Sequence, residues 1–422
     1  MLVAMTLPAS AQTPPTPTTV SEDTAALLAP IPHSRKNPLI RPDRDYRGLS
    51  IGDFMFYPTI TIGGTFDDNL VWSSRKPISA TGFRVNPTIV ATRDTGIHKT
   101  TIYGELDARF YPNVRDGDTV SGQAGLSHVW EVQRDLVVKT QVDYRRKTLH
   151  VGGVAMAPGG DFTTLAMPLT YNQGAAMVSV QKSFDKLFVG ISAEASKTVY
   201  DDLSAGEGRT DQHYRDGMAA TATLRGGVWV SPAFYLFAET AGTIRDYGDD
   251  GAGAKGYRAV AGLGSDRISL FRGEVYAGVQ QQFYESGPFK MTTVPVFGGK
   301  LFWYPTRDLT LRASLEQVFT DARLISPSNP AGHPERMTTA QLSLRYQIAR
   351  DWLATVRVGY NYSSFLGTQR RDQAFRAGMA VFHEISRNLG VTLDYDFTRL
   401  ISNLSASSFT RHAVTLGLTY RF

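Results

Sequence analysis

From about Ile51 onward the chain is cut into segments by connections that alternate between two kinds. Short ones fall at Arg93-Asp94-Thr95-Gly96, Arg134-Asp135, Asp185-Lys186, Ser231-Pro232, Asp266-Arg267, Thr306-Arg307-Asp308, Arg350-Asp351 and Arg387-Asn388. Between them lie longer or more Gly/Asp/Pro-rich stretches, near 73–79, 113–118, 149–167, 201–213, 247–256, 285–290, 321–336, 366–371 and 402–409. Eight short and nine long connections separate eighteen segments. A soluble β-sandwich has no reason to alternate so regularly. A transmembrane β-barrel does, because its short turns face the periplasm and its longer loops face outward. An even number of strands also puts both ends of the barrel on the same side of the membrane. Sixteen strands are the alternative if the weaker alternations around 255–266 or 290–304 are not strands.

The segments themselves alternate with the period of a strand, in which neighbouring side chains point to opposite faces. Ile102, Leu106, Ala108 and Phe110 oppose Thr101, Glu105, Asp107 and Arg109. Val356, Val358, Tyr360 and Tyr362 oppose Thr355, Arg357, Gly359 and Asn361. In the last segment Val414, Leu416, Leu418, Tyr420 and Phe422 share one face, and Ala413, Thr415, Gly417, Thr419 and Arg421 the other. Charges this dense on one face suit a wetted interior or an exposed sheet surface, not a sandwich core. The expected fold is therefore all-β: a transmembrane outer-membrane antiparallel β-barrel of about 18 strands over residues 51–422. Four tryptophans agree with a membrane boundary, since Trp130, Trp229, Trp303 and Trp352 each lie near a short turn, while Trp72 lies beside a long loop.

Composition narrows the alternatives. The mean hydropathy is −0.20 and no apolar run approaches the roughly 20 residues of a spanning helix. There is no cysteine, which removes disulfides, thiolate metal sites and cysteine nucleophiles. The net charge of +5 comes from 44 basic and 39 acidic residues interspersed along the chain. Nucleic acid is not an expected partner, because a clustered basic patch is missing.

Ahead of the barrel, residues 1–11 read as the tail of a secretory signal peptide. Leu2 to Leu7 form a short apolar core, and Ala9-Ser10-Ala11 offers a small-x-small cleavage site. Residues 12–50 are rich in Pro and Thr and then basic, with Arg35, Lys36, Arg41, Arg44 and Arg47. Proline in Thr13 to Thr19 rules out a helix or a central strand there, while Thr24 to Leu28 could make one helical turn. The stretch is expected to be a periplasmic linker or a partial plug.

The opening strand ends in Phe66-Asp67-Asp68-Asn69-Leu70. An aromatic-Asp-Asp-Asn-apolar motif on a first strand, the strand-turn rhythm and the terminal Phe422 together resemble the family named putative beta-barrel porin 2, from Gram-negative outer membranes. That resemblance implies an outer-membrane barrel in contact with lipid and lipopolysaccharide. Some relatives look like outer-membrane components of exopolysaccharide or capsule secretion, which would add periplasmic polysaccharide-export proteins as partners. Leu418, Tyr420 and Phe422 likewise resemble the C-terminal signal of bacterial outer-membrane proteins, which implies recognition by the barrel assembly machinery.

Signals for chemistry are weak. The eight histidines, His33, His98, His128, His150, His213, His333, His383 and His412, stand in no HExxH or GxSxG context. No catalytic residue, cofactor or metal is expected, and a rim enzyme is the least favoured class. Asp67, Asp68 and Asn69 offer oxygen ligands of the kind Ca²⁺ takes, yet strand termination and backbone capping explain them better. Gly248 to Gly253 is a Gly/Asp loop without EF-hand spacing, and Gly262-Leu263-Gly264 has no helix after it to hold a pyrophosphate. Function is expected on the inner wall. Strand parity turns Arg84, Glu105, Asp107, Arg109, Lys139, Asp143, Arg145, Arg312, Glu316, Arg345, Arg357, Arg376, Asp394 and Asp396 inward, with Glu194, Arg225, Glu239, Glu274 and Arg421. Rows of acid and base lining a pore filter solutes by charge and size. The expected function is passage of polar solutes through a charged aqueous lumen, and export of an exopolysaccharide is the alternative.

Overall fold

The computed structural model describes residues 48–74, 76–114, 117–149, 169–205, 208–213, 216–247, 253–266, 270–285, 290–320, 334–403 and 408–422. The expected signal remnant, residues 12–47 of the linker, His33, His150, His333 and Gly248 to Ala252 lie outside these residues.

In chain order the strands are β1 (Leu49–Ile51), β2 (Phe54–Asp67), β3 (Ala80–Asp94), β4 (His98–Phe110), β5 (Thr119–Gln133), β6 (Leu136–Leu149) and β7 (Leu169–Ser183). Next come β8 (Leu187–Tyr200), β9 (Leu203–Ala205), β10 (Gly208–Thr210), β11 (Gly217–Trp229), β12 (Tyr235–Tyr247), β13 (Ala254–Ser265) and β14 (Phe271–Tyr284). The chain ends with β15 (Met291–Trp303), β16 (Leu309–Thr320), β17 (Glu335–Ala349), β18 (Trp352–Phe365), β19 (Arg371–Glu384), β20 (Leu389–Ser402) and β21 (Phe409–Arg421). β2–β8 and β11–β21 are the eighteen strands of one closed antiparallel barrel. Each pairs with its neighbours in sequence, and β8 pairs with β11 around the small β9–β10 hairpin. No α-helix occurs among the described residues.

Closure joins the two ends of the sequence. β2 pairs with β21 from Thr59↔Arg421 to Asp67↔Ala413, and the Phe422 amide donates to the Pro58 carbonyl. β1 continues the same side of β2 below that point, from Leu49↔Phe56 to Ile51↔Phe54. All eight short connections fall at one end of the barrel and all nine long ones at the other. The turn after β3 shows why the short ones are tight. Gly96 takes a left-handed φ of 87°, Asp94 Oδ1 accepts its amide at 2.8 Å, and Thr95 N donates to His98 O.

The two faces divide as the alternation demands. Val142 and Tyr144, Ile191, Val275, Val358, Leu416 and Leu418 are exposed on the outer face, where lipid replaces water. Trp130, Trp303 and Trp352 are exposed on that face near the short turns. Trp229 departs from the expected boundary ring. It lies on the inner face and is buried against Tyr235, with ring centroids 4.9 Å apart. Proximity to a turn locates a residue along the barrel axis, but parity decides its face.

One wall seam is incomplete. β15 and β16 pair only from Phe297↔Gln317 to Trp303↔Leu311. Above that point β15 stays paired to β14 up to Met291, and β16 stays paired to β17 up to Thr320.

The charged inner wall and the clasp that closes it

The nineteen inner-wall residues named from parity all lie on the face opposite the exposed apolar rows, and most of them gather into separate groups. On β3 and β4, Asp107 sits between two guanidiniums: Arg84 Nε at 2.6 Å and Arg109 Nη2 at 3.1 Å. Glu105 beside it accepts from Gln123 Nε2 at 3.0 Å and Asn86 Nδ2 at 3.3 Å. On β6, Asp143 accepts from Gln141 at 2.7 Å, with Lys139 and Arg145 on the same row. On β18 and β20, Arg357 Nη2 bridges Asp394 and Asp396, each at 3.1 Å. Arg376 shares that wall one strand away, opposite Gly359. Arg312 lies 5.2 Å from the Phe302 ring, while Arg345 stays exposed on the inner face of β17.

The largest group joins Arg225, Glu239, Glu274 and Glu316 to residues that parity alone does not single out. Arg225 on β11 is 1% exposed and pairs with Glu239 on β12 and with Glu274 on β14, the latter at 2.7 Å. Arg258 on β13 also pairs with Glu239. Tyr235 donates to Glu274 at 2.6 Å, and Tyr276 donates to Glu316 at 3.0 Å. Contacts that skip strands are favoured on the concave side of a barrel, where side chains converge. Phe188, Trp229, Tyr235 and Phe237 form the apolar floor of this group, and the Arg225 guanidinium lies 3.8 Å over the Phe237 ring. Gly227, Gly262 and Gly264 give these rings room: a Cβ at any of them would collide with Phe188, Phe237 or Tyr235. The inner wall is therefore asymmetric, packed along β8 and β11–β14 and solvent-accessible along β16–β17, where Arg312, Gln341 and Arg345 are exposed. Parity finds inward residues one at a time. It does not reveal that Arg225, Glu239, Arg258 and Glu274 join into one network across β11–β14.

The Phe66–Asn69 motif is a clasp between the first and last wall strands. Phe66 points out to the membrane face. Asp67 is fully buried, and its Oδ2 accepts from Arg411 Nε at 2.8 Å and Nη2 at 2.6 Å. Asp68 Oδ1 accepts the His412 amide at 2.6 Å. Asn69 donates to the Ser73 and Thr410 carbonyls and accepts the Ser73 amide. Trp72, held at a left-handed φ of 55°, stacks on Phe409 at 5.4 Å. These oxygens hold protein donors, which supports the capping reading of the motif over the cation reading.

The described histidines fall in separate places. His98 stacks on His128 and Trp130 on the outer face, and His383 stacks on Trp352 at 4.3 Å. The Tyr395 hydroxyl and His412 Nδ1 are 2.8 Å apart on the outer face. His213, at the long-loop rim, stands 3.0 Å from Asp216 and 3.7 Å from Asp202. Its hydrogen bond and charge contact with Asp216, joined by Asp211 and Asp202, raise its pKa above the ordinary imidazole value. Asp202, Asp211 and His213 could together approach a metal ion.

Among solved structures, the chain resembles the siderophore receptor PiuA from Acinetobacter baumannii with a TM-score of 0.44 and 8% identity, over 89% of this chain and 82% of that one. It resembles the siderophore receptor PirA from Pseudomonas aeruginosa with a TM-score of 0.40 and 10% identity, over 87% and 80%. No curated protein matches the sequence. Residues 41–422 match the family described as Putative beta-barrel porin 2, a span that includes the clasp motif, every wall strand and the terminal Phe422. The chain belongs to that family of outer-membrane β-barrels.

Proposed function

We propose that this barrel is a diffusion porin for polar solutes, with its short turns in the periplasm and its long connections outside. The observation that carries the reading is the asymmetric inner wall. Buried ion pairs and aromatics brace β8 and β11–β14, while charged and amide side chains on β16–β17 stay in contact with water. A polar solute moving along that wetted side exchanges hydrogen bonds with water for hydrogen bonds with Gln341, Arg345 and Arg312, so it is never stripped of partners. Fixed charges on the path select solutes by sign and size. The process needs no covalent step.

Planar-bilayer conductance of the purified protein tests this. A stable open pore is expected, and Arg345→Glu is expected to shift its ion selectivity toward cations. Failure to conduct, even after residues 12–50 are deleted, would overturn the porin reading.

A further inference from the structure

The split seam between β15 and β16 is a built feature. Continuing the register of the paired half sets Pro295 opposite Phe319. In an antiparallel strand the amide and carbonyl of one residue point to the same side. The Pro295 carbonyl points toward β16, where the Gln317 side chain donates to it at 2.9 Å. The amide that proline lacks is therefore missing from this seam, and the ladder bond to Phe319 cannot form. Gln280, reaching from β14, takes over. Its Nε2 donates to the Phe319 carbonyl at 2.9 Å, and its Oε1 accepts the Phe319 amide at 3.3 Å. A side-chain amide thus stands in for a peptide group.

The tip of β16 has moved behind β15 to reach it. Phe319 has outward parity on its strand, yet it is fully buried against Val260, Val294 and Val296 on the inner face. The wall is lapped there, and its joint is apolar. Behind it lies a cavity lined by Thr243, Arg258, Gln280, Gln282, Glu316 and Val318. Backbone groups left unpaired at membrane depth are costly, so barrels zip their seams fully. Here side-chain hydrogen bonds from Gln280 and Gln317 and the buried Phe319 ring hold the joint.

We propose that this joint is a lateral gate through which a neutral, hydroxyl-bearing single-chain amphiphile passes between the lumen and the hydrocarbon of the membrane. The apolar faces of Val294, Val296 and Phe319 take the chain. When Phe319 leaves, the Gln280 amide exchanges its backbone partner for a hydroxyl-rich head beside Thr243, and the lining carries one charge of each sign, Arg258 and Glu316, so no net charge is called for. Opening swings the β16 tip away from β15 together with the end of β17 to which it is paired, so no backbone ladder is broken. The gate is a second route, through the wall, distinct from diffusion along the pore.

The chain has no cysteine, so an introduced pair carries the only thiols. Val296 and Val318 stand opposite each other in the continued register, and V296C/V318C places a disulfide across the joint. The assay is uptake of a fluorescently tagged dodecyl glucoside by intact Gram-negative cells producing the full chain, beside uptake of tagged free glucose. Oxidised V296C/V318C is expected to lose amphiphile uptake down to that of cells without the protein, and a membrane-impermeant reductant should restore it. Pro295→Val, which returns the missing amide to the seam, should lower amphiphile uptake without any thiol. Entry of the free sugar should be unchanged in both. Amphiphile uptake that ignores both changes, or that never exceeds the protein-free level, would overturn the gate. Sugar uptake that never exceeds the protein-free level, with amphiphile uptake still controlled by the disulfide, would count against the porin reading instead.

Discussion

At the scale of single residues, the clasp makes the sharpest demand. Asp67 and Arg411 are buried together where the chain's ends meet, and neither side chain has water to fall back on. Removing one partner of such a pair leaves an uncompensated buried charge, a loss of about 3–5 kcal/mol. Asp67→Ala and Arg411→Ala should each destabilise the barrel by that order in urea unfolding from micelles. The double variant should cost less than the sum of the two, because no charge is then orphaned. Equal, additive losses would show that the pair is not coupled. His213 makes a second, milder demand. Its neighbours favour the imidazolium, so its pKa is raised in the folded protein. The rim contact with Asp216 is then fully present in acid, below the unfolded value of about 6.5, and is lost as pH rises through the raised value. An NMR titration should find His213 titrating above free histidine, and Asp216→Asn should bring it down. The sequence showed Phe66–Asn69 as a capping motif but not its partners. Arg411 lies more than three hundred residues away, and only closure of the sheet makes them neighbours.

At the scale of elements, strand positions were legible because two local signals coincide: the period of two and the turn chemistry at each end. What was not legible depends on neighbours outside the strand. Trp229 and Trp130 both sit near short turns, but one faces the packed interior and the other the membrane. The glycine beneath Tyr235 gives a test of that packing. Gly264→Val puts branched carbons where the ring lies, forcing Tyr235 away from Glu274. Overpacking of this kind costs about 1–3 kcal/mol, and a lower urea midpoint with an unchanged slope should report it. The closing strand gives another. β21 presents Leu418, Tyr420 and Phe422 outward in a row, with the Tyr420 and Phe422 rings edge-to-face at 4.9 Å. Phe422 contributes a single backbone bond to Pro58, so its removal subtracts little from the finished ladder. Deleting it should nonetheless reduce the yield of assembled barrel in the outer membrane, read as heat-modifiable protein on gels, if the row is what the assembly machinery grips. Normal yield would assign the row to lipid contact alone.

At the scale of the whole molecule, the rhythm of connections carried the fold. Eighteen strands follow from it, and the structure places all eight short turns at one end. The split seam was not visible: the sequence marked 290–304 only as a weaker alternation, and the structure shows that Pro295 stands at an edge, where proline is tolerated. A closed wall of this kind also has a direction, and the direction can be tested because the chain supplies no competing thiol. Outer-membrane barrels insert with long loops leading outward, where length is free to vary, while the periplasmic turns stay tight. Thr368 lies in the connection between β18 and β19, and Asp351 in the turn between β17 and β18. These sites are at opposite ends of the same strand, β18, so a membrane-impermeant maleimide should separate them on intact cells. T368C should label before the outer membrane is permeabilised, and D351C only afterwards. A reversed pattern would invert the barrel, moving the His213 rim and the lapped half of the β15–β16 seam to the periplasmic side. Labelling of both on intact cells would mean that the lumen passes the reagent itself. A larger maleimide that cannot enter the pore would then restore the distinction and give a first bound on its width.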